Sequence, residues 1–280
     1  MQILIATLEG EYAHFRIPET TRENLSYPFP PRTALIGMIA AMMGEPRNSY
    51  WKDGHPLRDL KVAIEIVNPL KRTFLKVNYI RVKETVSLAK GTKIYIPEDP
   101  FATELIGLSG KEYESKKKFP KYSRGMNAPF KMNLMKEVKY RIYISSDNET
   151  TLEEIRERLQ QRKFVFPPYL GHANLLAHWE FEGIMEGTPI HENNPIECHT
   201  VVPFSAIEMQ KVSYDLAGTP VIYNMPMAMK AADPKKEPSI WNIIVDRLDS
   251  VFLVRPKESF KAIFKNGRGI RVGNKTISFL

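Results

Sequence analysis

The sequence has a single cysteine, Cys198, and no apolar run long enough to cross a membrane. One thiol cannot form a disulfide within the chain or supply a zinc site built on several thiolates. A membrane-spanning helix needs roughly 18 consecutive apolar residues, and the apolar start at residues 1–8 is too short and lacks a basic flank for a secretory signal. We therefore expect a cytoplasmic protein with no membrane association.

The common catalytic and metal-binding motifs are also missing. The sequence contains no HExxH pair, no Walker A loop, no GxSxG elbow and no His/Cys ligand spacing. We therefore predict that the protein uses no metal and no cofactor.

Positive charge is concentrated in one part of the chain. The net charge is +8 and the pI is about 9.3. Residues 71–139 contain 16 basic and 7 acidic residues, a local balance of +9, so the rest of the chain sums to −1. This basic segment therefore predicts a polyanionic partner.

With 43% hydrophobic residues, a chain of 280 residues can bury a core, so we expect a folded protein.

Hydrophobic periodicity and turn residues predict an α+β fold. The predicted elements in chain order are a strand at 1–8, a helix at 33–43 between Pro31 and Gly44, strands at 61–67 and 138–144, a helix with a capping box at 150–153, and a strand at 176–185. The order β-α-β-(insertion)-β-α-β is that of the ferredoxin-like or RNA-recognition-motif (RRM) topology.

Two further segments complete the predicted organisation. The insertion at about 70–135 is basic and far longer than an ordinary connection of about 4 to 6 residues, so we expect it to carry structure or function of its own. From residue 191 onward, short apolar runs alternate with Gly, Pro and Asn, which predicts a β-rich C-terminal domain, 191–280, after a first domain, 1–190. Asn266-Gly267 and Gly273-Asn274 predict hairpin turns.

Two ordered blocks resemble a known family. The first is AHFRIPE at 13–19 followed by NLSYPFPPRTALIG at 24–37, and the second is PYLGHANLLA at 168–177. Both resemble the fifth family of CRISPR-associated (Cas) proteins, members of the RAMP superfamily, with most similarity to the type I-B subtype. The resemblance covers residues 1 to about 185.

The resemblance implies a RAMP fold with an inserted thumb and a non-catalytic role. Such a subunit of the type I surveillance complex, Cascade, binds and caps the 5′ handle of the guide RNA (crRNA) and supports complex assembly in antiviral defence. The implied partners are the guide RNA, the repeating backbone subunit and the large subunit. An alternative is a structural Cascade subunit that contacts target DNA near the PAM.

Candidate RNA-binding residues lie in the insertion and beside the two blocks. Lys and Arg side chains neutralise phosphates, and aromatic residues interleaved with them can stack bases. For the insertion, the alternative is a solvated surface loop whose aromatic side chains pack; for the arginines around the first block, it is ion pairing with Glu19 or Glu23. The predicted residues are Arg16, Arg32, Lys71, Arg72, Lys76, Arg81, Lys116, Lys117, Lys118, Lys121, Arg124, Lys131 and His172. Because no RRM motif is found in the central strands, we expect loops and thumb to bind the RNA.

An enzymatic alternative stays open, because a related subtype of the family cleaves CRISPR repeat RNA. Metal-independent RNA cleavage requires a positioned base and acid. His14 beside the first block is the first candidate, with Tyr12, Tyr27 and Lys83 as companions. The alternative function is therefore a metal-independent endoribonuclease that processes CRISPR repeat RNA.

Overall fold

A computed structural model of the chain describes residues 1–18, 20, 24–79, 82–88, 92–97, 128–208, 219–233, 235–238, 242–256, 258 and 260–280. In these residues strands dominate, which confirms the predicted mixture of strands and helices. The helices are α1 (Arg32–Met43), α2 (Glu149–Gln161) and two short 3-10 helices (Ser49–Trp51 and Phe204–Ala206). No described helix has the length and apolar character to cross a membrane.

The strands are β1 (Gln2–Ala13), β2 (Phe15–Arg16), β3 (Ser26–Tyr27), β4 (Lys61–Ile66), β5 (Lys71–Tyr79), β6 (Val82–Leu88), β7 (Thr92–Pro97), β8 (Ala128–Ser145), β9 (His178–Pro189), β10 (Ile196–Cys198), β11 (Val202–Pro203), β12 (Val221–Lys230), β13 (Ile244–Phe252), β14 (Phe260–Ala262), β15 (Gly269–Val272) and β16 (Lys275–Ser278). The largest sheet has the order β16-β15-β9-β1-β8-β4, and β5 also pairs with β8. In it β1 pairs antiparallel with β8 and β9, so Leu8 lies between Tyr140 and Trp179. The central strand is thus the first strand of the chain.

Both faces of this sheet are covered. Leu4, Ala6 and Leu8 of β1 pack with the helices in the main core. Ile3 and Ile5 point to the opposite face, where residues of the β15–β16 hairpin cover them. A strand buried on both faces is an unbroken apolar run rather than an alternating one, which explains the sequence ILIA at residues 3–6. Burial of each Ile or Leu side chain stabilises the fold by about 1.5–3 kcal/mol.

Helix α1 has the predicted limits. Pro31 precedes it, and Gly44 ends it in the left-handed conformation (φ 86°), where its N–H bonds to the last turn. Gly37, inside α1, has a side chain rather than another backbone as its close neighbour. A Cβ at Gly37 would lie 3.1 Å from the hydroxyl oxygen of Tyr50.

Helix α2 starts earlier than predicted. Its N-cap is Asn148, whose Oδ1 accepts a hydrogen bond of 3.0 Å from the Thr151 N–H. The predicted capping box starting at Thr150 is therefore wrong, because Asn is at least as good a cap as Thr and stands two residues earlier. The buried face of the helix is Thr151, Leu152, Ile155 and Leu159.

The C-terminal residues form small sheets and also extend the largest one. β10 pairs with β14, and β13 lies between β11 and β12. The turn at Gly273 joins β15 to β16, which confirms that hairpin. The hairpin predicted at Asn266-Gly267 is wrong, because the strands it joins, β14 and β15, pair with other strands.

The chain divides into two compact units. The first contains Met1–Thr20, Leu25–Thr73 and Leu134–Leu280, and the second contains Thr21–Asn24 and Phe74–Asn133. The second unit nearly coincides with the insertion predicted at 70–135, and its β6–β7 pair forms an antiparallel hairpin. No division falls at residue 190, where a domain boundary was predicted, because β15 pairs with β9 across that point.

Candidate nucleic-acid interface

The two sequence blocks that carry the family resemblance lie against each other. The backbone N–H of His14 donates to the carbonyl of Leu170 (3.0 Å). Gly171 has φ +85°, and a Cβ at this position would lie 2.0 Å from the carbonyl oxygen of His14. A residue with a side chain at 171 would push the blocks apart, so this contact requires glycine.

Arg16 and His172 each lie within two residues of this contact. Arg16 pairs with Ser26 through the short β2–β3 ladder. Its side chain is exposed and forms no ion pair with the described part of the chain. His172 is half-buried, and the Asn174 N–H donates to its Nδ1 at 3.5 Å, so a neutral ring would carry its proton on Nε2. Both side chains can therefore donate to a ligand at this loop pair.

Arg32 is buried inside the protein, with 5% of its surface exposed. Its guanidinium donates to the carbonyls of Met227 (2.6 Å), Arg58 (2.6 Å) and Leu60 (2.9 Å). Burial, and then the nearby charge of Arg247, lower the pKa of Arg32 to about 10. Burial and these three bonds hold the Arg32 side chain inside the protein, so Arg32 is not part of the exposed surface proposed below for RNA.

At the start of β5, Lys71 and Arg72 are both exposed. Lys71 forms an ion pair with Glu137, to which Lys136 also pairs at 3.2 Å. These two lysines, Lys71 first, hold the pKa of the Glu137 carboxyl below its usual value. Arg72 forms no ion pair with a described residue, so it is the stronger candidate for a phosphate contact.

An aromatic side chain with a neighbouring cation lies in the second unit. Phe74 is 53% exposed, and the Nζ atom of Lys131 lies 4.3 Å from the centroid of its ring. Lys76, two residues along the same strand, is exposed and has no ion pair within the described ranges. An exposed ring beside ammonium groups can stack a base while the cations contact phosphates.

The other predicted contacts lie outside the residues that the structure describes. They are Arg81, Lys116, Lys117, Lys118, Lys121 and Arg124. These six stay predictions from the sequence.

The sheet face opposite the helices carries an ion-pair network that the sequence did not predict. Glu65, at its centre, pairs with Lys275 and with Arg141 (3.5 Å), and accepts from the Tyr143 hydroxyl (2.8 Å). Arg141 also binds Glu182 at 2.8 Å. Burial, followed by the charge of Glu65, raises the pKa of Tyr143. The charged side chains of this network are therefore paired with one another.

Two further candidate features can be placed. The His14 side chain is buried, with 6% exposed. Cys198 is fully buried, and burial raises the pKa of its thiol to about 11. Among the described residues, no three His, Cys, Asp or Glu side chains form a group that could hold a metal ion.

Comparison with solved structures gives low similarity. A chain of a "CRISPR RNA-guided surveillance complex" is 14% identical, with a TM-score of 0.43, over 93% of this chain and 90% of that one. A CRISPR protein from Archaeoglobus fulgidus is 10% identical, with a TM-score of 0.47, over 100% of both chains. A chain of a Type III-B Cmr-beta complex bound to cognate target RNA is 11% identical, with a TM-score of 0.38, over 100% of this chain and 86% of that one.

No match was found among curated proteins. The assignment rests instead on a family model described as "CRISPR-associated protein (Cas_Cas5)", which matches residues 3–178, well over half of the chain. The protein belongs to the CRISPR-associated Cas_Cas5 family.

Proposed function

We propose that this protein is a non-catalytic subunit of a type I CRISPR surveillance complex, Cascade, that binds and caps the 5′ handle of the guide RNA and supports assembly. The observation that carries the proposal is the exposed Phe74 ring with Lys131 above it and Lys76 beside it. These residues belong to the segment 71–139, whose local charge is +9. A site for single-stranded RNA combines an aromatic side chain that stacks a base with cations that neutralise phosphates.

The topology supports a RAMP-type, ferredoxin-like assignment for the main sheet. Four of its strands have the spatial order β9-β1-β8-β4. Along the chain they come as β1, β4, β8 and β9, and α1 follows β1 while α2 follows β8. That is the connectivity of the βαββαβ unit. The second compact unit is inserted in the chain after β4, where the proposed thumb belongs.

The ion-pair network on the sheet supports RNA binding away from the sheet face. Arg141 is paired with both Glu65 and Glu182, and Lys275 is paired with Glu65, so carboxylates already occupy these two cations. We therefore propose that the loops at Arg16 and His172 and the strand residues Arg72 and Phe74 contact the guide RNA.

The burial of His14 supports the non-catalytic part of the proposal. A general base must come within hydrogen-bond distance of the 2′-hydroxyl that it activates. With 6% of its surface exposed, the His14 side chain has little access to an RNA. The proposed partners are the guide RNA, the Cascade backbone subunit and the large subunit.

The direct test is to incubate purified protein with end-labelled repeat RNA, with and without EDTA. Binding is resolved on a native gel and products on a denaturing gel. The proposal predicts retarded, uncut RNA. A single cut that persists in EDTA would contradict it, and His14→Ala would then be the first variant to examine.

A pair of neighbouring variants tests the stacking role. Phe74→Ala removes an exposed ring, and we expect RNA affinity to fall by about 1–3 kcal/mol if a base stacks on it. Leu75→Ala is the matched control, because Leu75 is similarly exposed at 48% and points to the other face of β5. Equal losses in both variants would exclude a specific stacking platform.

The basic cluster is tested by salt dependence. Lys116/Lys117/Lys118→Ala should flatten the slope of log affinity against log salt by up to about 0.7 for each lost phosphate contact. An unchanged slope would remove these lysines from the interface. For the assembly role, deletion of residues 71–135 should prevent recovery of the complex, while circular dichroism shows that the remaining protein is folded.

A further inference from the structure

A cavity in the first compact unit has a positively charged lining. It has a volume of about 370 Å³ and lies where Arg32, Arg247 and Arg268 approach Asp59 and Lys61. Its size is at the lower end of the roughly 300–1,000 Å³ typical of ligand pockets. None of the residues that carry the proposed RNA surface belongs to it.

The charges of the lining do not cancel. Lys61 is neutralised by Asp147, at 2.6 Å. Arg247 and Arg268 form no ion pair with any described residue, and Asp59 is the single acidic side chain of the lining. Three guanidinium groups therefore face one acidic side chain.

Arg32 provides the second observation. Only 5% of its surface is exposed, and its Nε–H has no hydrogen-bond partner in the part of the chain that the structure describes. A buried charged donor without an acceptor is costly. The charge of Arg247 adds to this cost, since the two guanidinium groups repel each other.

We propose that this cavity binds a phosphate group. Guanidinium groups match phosphate oxygens through paired, charge-assisted hydrogen bonds. A phosphate monoester carries about −1.5 to −2 charges at pH 7, which balances three arginines opposed by one aspartate. The phosphate is either the terminal phosphate of an RNA or part of a small phosphorylated compound, and both sources share this chemistry. The proposal stands apart from the guide-RNA function, because it concerns different residues.

Calorimetric titration of the full chain with pyrophosphate at constant ionic strength tests the site. We expect saturable binding that is weakened about tenfold or more in Arg247→Gln and in Arg268→Gln, the effect of losing a charge-assisted hydrogen bond. Both side chains are exposed, so these variants should fold. Lys163→Gln is the matched control, because it removes one exposed charge outside the lining and should bind like the wild type.

Competition then identifies the source of the phosphate. Displacement of pyrophosphate by repeat RNA supports a site for an RNA phosphate, and retention in the presence of bound RNA supports a site for a small phosphorylated compound. Absence of saturable binding, or equal weakening in Lys163→Gln, would overturn the proposal. Neither result would affect RNA retardation by the Phe74 surface, so the two proposals fail separately.

Discussion

Replacing Gly171 by alanine should destabilise the contact between the two family blocks. The left-handed backbone at Gly171 (φ +85°) costs a residue with a side chain about 1–2 kcal/mol. The added Cβ would also lie 2.0 Å from the carbonyl oxygen of His14, a backbone atom that cannot rotate away. Overpacking of this kind typically costs about 1–3 kcal/mol. We therefore expect a loss of about 2–5 kcal/mol in the free energy of unfolding.

Gly54→Ala separates the two contributions. Gly54 has a similar φ of +78°, but a Cβ there meets no atom within 4 Å, so it should lose the conformational 1–2 kcal/mol alone. Thermal unfolding followed by circular dichroism measures both variants. At about 2–4 °C per kcal/mol, we expect Tm to fall by roughly 5–15 °C for Gly171→Ala and by about half of that or less for Gly54→Ala. Equal decreases would refute the close approach at His14.

Three other predictions concern buried polar groups. Arg32→Met should lower the free energy of unfolding by about 2–4 kcal/mol, because three carbonyls lose their donor. The exposed Arg72→Met should change it little in the same urea titration, and similar losses in both would contradict the assignment. Burial raises the pKa of Cys198 to about 11, so DTNB at pH 8 should label the thiol in urea and leave the folded protein unlabelled. Rapid labelling of folded protein would show that the thiol is accessible. Burial also raises the pKa of Tyr140 above its usual value of about 10. The folded state then holds this proton longer than the unfolded state, so stability is complete below about pH 10 and falls above it. The loss between pH 8 and pH 10.5 should be smaller in Tyr140→Phe, and an equal loss would refute the assignment.

Features determined by neighbouring residues were predictable from the sequence. Pro31 and Gly44 define the limits of α1, because each acts on the backbone at its own position. The hairpin at Gly273 follows from a two-residue turn that requires positive φ. The charge of residues 71–139 is a matter of counting, and it indicated Arg72, Lys76 and Lys131 as candidates for phosphate contacts.

Features determined by distant residues were not predictable. The sequence pattern predicted that Arg32 binds RNA, whereas in the structure its guanidinium donates to the carbonyls of residues 58, 60 and 227. No local pattern in the sequence indicates these distant acceptors. The network around Glu65 likewise joins three strands and the β15–β16 hairpin. The boundary expected at residue 190 relied on a change of composition, whereas pairing of β15 with β9 depends on register between segments about 80 residues apart.

The position of the β15–β16 hairpin has a consequence for synthesis of the protein. Its strand β15 pairs with β9, and the N–H of Leu280 donates to the carbonyl of Val62. The ribosome adds about 5–20 residues per second, so residues 269–280 emerge well after β9, with which β15 pairs. Until then the edge of β9 stays open as a template for another chain. Contacts at such large sequence separation also form slowly. Removing residues 269–280 should therefore produce aggregates that a chaperone holdase can capture, even though every residue of the proposed RNA surface would remain.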